Sequence, residues 1–166
     1  MRKYGFRAVF IGLVFLVGLS LGHFRALGQV DSAAPIFGTW KMDLSQSVRN
    51  RDGKPTPYVD QATRILTPEG DGFRMSLTNS PGAKPSVYSS KFDGKDYPDT
   101  RGPGQDRTLA HWRLTPNVIA RLQKEKGTPI EWVIYTVSSD GNTFNAISWV
   151  PDKPQFVEWQ VYTRAK

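Results

Sequence analysis

The stretch Phe37-Gly38-Thr39-Trp40-Lys41, F-G-T-W-K, decides how this chain folds. A glycine two positions before a tryptophan is either ordinary strand sequence or the plug across the narrow end of a barrel. The plug has a physical basis. Gly38 permits close backbone approach, and Trp40 can bury a large apolar surface while still offering its ring face to a guanidinium. The rest of the chain has to choose between these readings.

Upstream, Met1-Arg2-Lys3-Tyr4-Gly5-Phe6-Arg7 precedes an apolar run from Ala8 to Gly22. Charge followed by such a run has the layout of a secretory signal peptide, with Ala26-Leu27-Gly28 offering small residues for cleavage after Gly28. The run is shorter than the roughly 20 residues that span a bilayer comfortably, which favours cleavage over a permanent anchor. The expected organisation is a signal peptide over 1–28, a linker over 29–35 and one domain over 36–164. The expected location is secreted or periplasmic, without stable membrane insertion after cleavage; an uncleaved inner-membrane anchor is the alternative.

The chain has no cysteine, so neither lipidation through an N-terminal cysteine nor a disulfide framework is available. The formal charge of +7 overstates the basic character of the domain. Arg2, Lys3, Arg7 and Arg25 lie before residue 29 with no acid among them, leaving 18 basic against 15 acidic residues, or +3. Segments such as Lys124-Glu125-Lys126 mix the signs. No basic stripe for nucleic acid appears.

Downstream, short alternating runs are separated by turn chemistry. Phe37–Asp43, Gln61–Thr67, Phe73–Thr78, Ser86–Phe92, Thr108–Leu114, Val118–Gln123, Ile130–Ser138, Thr143–Val150 and Phe156–Thr163 all read as strands. Asp71-Gly72, Gly127 with Pro129, Asp140-Gly141-Asn142 and Pro151-Asp152-Lys153-Pro154 separate neighbours. Residues 44–58 contain two prolines and read as a long irregular connection, with a short helical turn, lying over one end of the domain. No window shows a convincing 3.6-residue stripe, so the chain is all-β. A meander of this length must protect its edges, and closure into a single antiparallel up-and-down β-barrel of about 8 to 10 strands does so. A two-sheet sandwich has the same periodicity.

The order of blocks narrows the choice. Gly38-x-Trp40, then Lys91-Phe92-Asp93-Gly94-Lys95-Asp96-Tyr97-Pro98, Ser138-Ser139-Asp140-Gly141 and Val161-Tyr162 follow one another through the chain. In this order they resemble the lipocalin and fatty-acid-binding protein superfamily, and more closely the small exported lipocalin-like domains of bacteria, over most of residues 36–164. The resemblance implies a barrel in which Gly38, Trp40 and Arg164 form the structural closure, with the arginine lying over the indole. It also implies a small apolar or amphipathic molecule as ligand. Intracellular fatty-acid-binding proteins hold a carboxylate with Arg-x-Tyr on the final strand, whereas this chain reads Gln160-Val161-Tyr162. The missing cation shifts the expectation toward a neutral or amphipathic ligand, unless Arg74, Arg113 or Arg121 turns inward. The candidate ligand-binding residues are Tyr162, Gln160, Tyr135, His111, Arg113 and Arg121.

Catalytic and metal signals are sparse. Outside the export-type segment His111 is the one histidine, and no G-x-S-x-G elbow or phosphate loop occurs. No catalytic residue, cofactor or metal is expected; Asp96, Asp99 and Asp106 lack the spacing of a dedicated calcium loop. An inward acid beside His111 would signal an enzyme, and Glu131 and Glu158 are the acids in otherwise apolar strands. The second half is rich in aromatics, including Trp112, Trp132, Tyr135, Trp149, Phe156, Trp159 and Tyr162. Alternation sends these to both faces, which suits a barrel that also meets another protein, such as an envelope partner, or a glycan. A closed interaction barrel is therefore the rival function.

Overall fold

The computed structural model describes residues 31–101 and 106–166, and the export-type segment lies outside them. Strand β1 (Gly38–Met42) leads into a hairpin, β2 (Val48–Arg51) and β3 (Lys54–Pro57). There follow β4 (Thr63–Glu69), β5 (Gly72–Thr78), β6 (Ser86–Ser90), β7 (Tyr97–Pro98) and β8 (Arg107–Thr115). The meander ends with β9 (Val118–Glu125), β10 (Thr128–Val137), β11 (Thr143–Val150) and β12 (Lys153–Arg164). Ten strands run along one path, β6-β5-β4-β1-β12-β11-β10-β9-β8-β7, with antiparallel pairing. The result is an all-β, nearly closed barrel of ten strands, the architecture that the alternation and turn spacing predict.

Residues 44–58 depart from the irregular connection expected. They form the β2–β3 hairpin, turned at Asp52 (φ 56°) and Gly53 (φ 74°). Positive φ at both central residues matches the right-handed twist of the flanking strands, and Asp-Gly supplies it cheaply. Pro55 and Pro57 are tolerated because β3 pairs only with β2 and is exposed along its length. The long β12 accommodates the hairpin. Its outer end pairs with β2 through Val157–Trp159, and its far end pairs with β1 through Tyr162–Arg164.

The closed end is packed around Trp40, which is fully buried. Its indole donates to the Ile36 carbonyl at 2.9 Å, lies 5.3 Å from the Phe144 ring, and carries the Arg164 guanidinium 4.1 Å above its centroid. Arg164 also donates to the carbonyls of Pro35, Phe37 and Gly141, so it ties three chain segments across this end. Gly38 sits at φ 141°, and a Cβ there would collide with the Arg164 guanidinium.

The seam between β6 and β8 lacks a continuous backbone ladder. Side chains and single bridges hold it instead. Gly94 donates to the His111 carbonyl at 2.9 Å, and Thr100 Oγ1 donates to the Val87 carbonyl at 2.5 Å. Inside, the buried Ser90 hydroxyl meets His111 Nδ1 at 2.9 Å. Gly94 also packs so closely on the Trp112 indole that a Cβ would strike it, which accounts for the glycine of the Asp93-Gly94 turn.

Candidate functional site

The interior becomes polar above the Trp40 floor. Alternation places Arg64 on β4, Arg121 on β9, Glu131 and Tyr135 on β10, and Glu158, Gln160 and Tyr162 on β12 toward the same space. Six of these groups, all but Tyr162, bound a cavity of about 160 Å³ with Leu77, Arg101, Val133, Ala146 and Ser148; Tyr162 stands beside it, bonded to Arg64. A larger cavity of about 350 Å³ opens at the mouth between the β2–β3 hairpin and β4–β5, sharing Arg64, Leu77, Glu158 and Gln160. Glu158 also lines a third, rim cavity of about 220 Å³ with Trp149 and Phe156.

Arg64 is the central group. It is 7% exposed, and its Nε donates to the Tyr162 hydroxyl at 2.8 Å while Nη2 donates to Gln160 Oε1 at 2.7 Å. A third nitrogen faces the Met75 sulfur, and the guanidinium lies 5.1 Å from the Tyr162 ring centroid. Arginine stays charged under any ordinary condition. All its hydrogen-bond partners are neutral, so a buried positive charge stands here without a carboxylate against it.

Arg121 lies across the cavity, 3% exposed, with its Nη2 paired to Glu131. Its Nε and the Tyr135 hydroxyl are both buried, and neither has a hydrogen-bond partner among the described residues. Buried polar groups in folded proteins are nearly always paired, so two orphans beside one cavity mark a place where a ligand or water belongs. Arg101, by contrast, is satisfied by a two-pronged pair with Asp99, to which Gln123 also donates. Burial opposes ionisation of Asp99, but the Arg101 guanidinium outweighs it and holds the carboxyl below its usual range.

A hydrogen-bonded chain runs from this centre to the mouth. Tyr162 donates to Gln160, Gln160 donates to the Tyr58 hydroxyl at 2.9 Å, and Tyr58 donates to Glu158 at 2.6 Å. Glu158 then pairs with Arg51 on β2. Burial, reinforced by Glu158, pushes the Tyr58 phenol well above its ordinary pKa, so it stays a donor. The hairpin is thereby latched to Arg64.

The six candidate binding residues separate in space. Tyr162, Gln160, Tyr135 and Arg121 gather around the cavity. His111 points inward but is fully buried in the seam, bonded to Ser90 and 3.4 Å from the Tyr88 hydroxyl. Burial, with Arg121 and Arg101 nearby, holds its pKa well below the usual value, so it is neutral. No carboxylate bonds it among the described residues. Arg113 lies at the closed end, 4.4 Å above the Phe92 ring and under the field of Asp31, away from these cavities. Arg74 pairs with Glu69 and is more than half exposed.

The cation absent from the final strand is supplied by Arg64, two strands away. Arg64 lies in the expected Gln61–Thr67 strand, in phase with the apolar Ala62 and Leu66, an alternation that marks it as inward although the expectation named only Arg74, Arg113 and Arg121 as inward cations. Among the described residues no cluster of three or more histidine or acidic side chains could hold a metal ion. No helix among them is long and apolar enough to cross a membrane.

No family model matches the chain, and no curated protein matches it. Solved structures do. A Schistosoma mansoni fatty acid binding protein in complex with arachidonic acid is 16% identical, over 82% of this chain and 100% of its own, at a TM-score of 0.60. The REP1-NXSQ fatty acid transporter is 18% identical, over 81% and 98%, at 0.58. An abundant heat soluble (SAHS) protein from Ramazzottius varieornatus is 10% identical, over 79% and 96%, at 0.61. At these identities the likeness carries the architecture alone: the chain shares the antiparallel barrel fold of these structures.

Proposed function

We propose that this barrel binds a small amphipathic acid, with the anionic head between Arg64, Arg121 and Tyr135 and the apolar part reaching toward Leu77 and the mouth. The observation that carries this reading is the buried Arg64 charge without a carboxylate, beside the orphaned Arg121 Nε and Tyr135 hydroxyl. An incoming carboxylate satisfies all three groups at once, and a charge-assisted bond in a buried site is about twice as strong as a neutral one. The resemblance of the fold to barrels that carry fatty acids points the same way. The interior cavity is small and mostly polar, which favours a short or medium chain over a long one.

Gln160 keeps its place in this scheme as the group that orients Arg64 and Tyr162. Export to the cell envelope is part of the proposal and rests on the N-terminal charge and apolar run alone. Titration calorimetry with decanoate and decanol tests the binding reading. Decanoate is expected to bind at least about tenfold more tightly, a gap of about 1.4 kcal/mol. Equal affinity for acid and alcohol, or no saturable binding of either, overturns it.

A further inference from the structure

Three inward positions at one side of the cavity lie close together. Ser148 on β11 pairs with Val133 of β10 on one side and with Glu158 of β12 on the other. Glu131 precedes Val133 by two residues and so shares its face of β10. Glu131, Ser148 and Glu158 line both the interior cavity of about 160 Å³ and the rim cavity of about 220 Å³, so open space adjoins them on two sides. Ser148 is 9% exposed, and its hydroxyl makes no hydrogen bond to any described residue. Buried hydroxyls are nearly always paired, so this one faces the cavity with a bond still to make.

The two acids differ in what they have left to offer. Both oxygens of Glu158 are taken, one by Arg51 and the other by Tyr58. Glu131 gives Oε2 to Arg121 Nη2, whereas its Oε1 bonds no described residue. Arg121 Nε, the orphan assigned above to the ligand's carboxylate, belongs to the same guanidinium. A bound carboxylate and Glu131 therefore sit against neighbouring nitrogens of one arginine, and like charges so placed oppose each other. A donor between them relieves that opposition.

We infer that Ser148 and Glu131 form a hydroxyl subsite, and that the ligand is a hydroxy acid whose hydroxyl lies within a few carbons of its carboxylate. This rests on the anion-binding reading and names its ligand class. A hydroxyl donates one bond and accepts another, so it can donate to Glu131 Oε1 and accept from Ser148 Oγ together. An ammonium group cannot accept, and Glu131 and Glu158 are each already balanced by an arginine, so no unpaired negative charge draws a cation here. The short separation follows from Arg121, because one guanidinium holds both the head and Glu131. The apolar chain still runs toward Leu77 and the mouth.

Titration calorimetry of the full chain with decanoate, each enantiomer of 3-hydroxydecanoate, and 10-hydroxydecanoate tests this inference. One enantiomer of 3-hydroxydecanoate is expected to bind at least about tenfold more tightly than decanoate, with 10-hydroxydecanoate within about threefold of decanoate. Ser148→Ala is expected to cut the preference for the hydroxy acid to about threefold or less. Glu131→Gln, which removes the opposing charge, is expected to lower that preference while tightening decanoate itself. Equal affinity for decanoate and both enantiomers overturns the hydroxyl subsite and leaves the anion-binding reading standing. Tighter binding of 10-hydroxydecanoate than of either enantiomer also overturns it, as does a preference unchanged in both variants. No saturable binding of any of these acids overturns the anion-binding reading, and the subsite with it.

Discussion

Arg64 and Tyr162, 98 residues apart in sequence and separated by β1 in the sheet, meet at 2.8 Å inside the barrel. The bond is diagonal. Trp40 pairs with Arg64 and Met42 pairs with Tyr162, so the arginine side chain reaches across one strand to the phenol. This contact converts a final strand that lacks a cation into half of an anion site whose other half comes from β4.

Replacing Arg64 by methionine should abolish the preference for decanoate over decanol. Stability should change by less than ~1.5 kcal/mol, because the lost hydrogen bonds are offset by removal of a buried charge. Calorimetry and urea unfolding measure the two effects. A loss of more than ~3 kcal/mol would make Arg64 a structural residue first.

Tyr58 holds the hairpin to the interior through Glu158 and Gln160. Tyr58→Phe removes that hydroxyl and leaves the ring under the Arg49 guanidinium. Ligand release should accelerate by about fivefold to tenfold, as expected for the loss of about 1 kcal/mol of hydrogen bonding. Stopped-flow displacement checks this, and an unchanged off-rate would deny the hairpin a gating role.

The pH response should carry the mark of His111. Its folded-state pKa is depressed by burial and by Arg121 and Arg101, so the unfolded chain takes up a proton below about pH 6.5 that the folded barrel refuses. Stability contributed by the neutral ring is therefore intact above about pH 6.5 and is lost progressively as the pH falls below it. His111→Asn keeps polar contact with Ser90 and removes the titration. Thermal unfolding of both proteins over this range should show a shallower fall for the variant; parallel curves would exclude His111 as the source.

At the closed end, Trp40→Ala should destabilise the fold by ~3 to 5 kcal/mol, since the ring is fully buried and holds Ile36, Phe144 and Arg164 in place. Gly38→Ala should also destabilise, because its methyl group meets the Arg164 guanidinium at a strained φ. Chemical unfolding measures both. A Trp40→Ala protein as stable as wild type would remove the indole from the structural closure.

The local code of this protein was open to reading in one dimension. Alternation, Asp-Gly turns and the absence of cysteine specify an all-β meander, because strand periodicity and turn conformation are properties of neighbouring residues. The same alternation places Val133, Tyr135 and Val137 on one face, and Glu158, Gln160 and Tyr162 on one face of the last strand. Which face points inward is not local information. Nor was the β2–β3 hairpin, where prolines argued against strands until β12 proved long enough to receive one on its edge. The site depends most on tertiary structure: Arg64 reads as one charged residue in a short strand, and only closure of the sheet brings it beside Tyr162, where burial without a carboxylate gives it a chemical role.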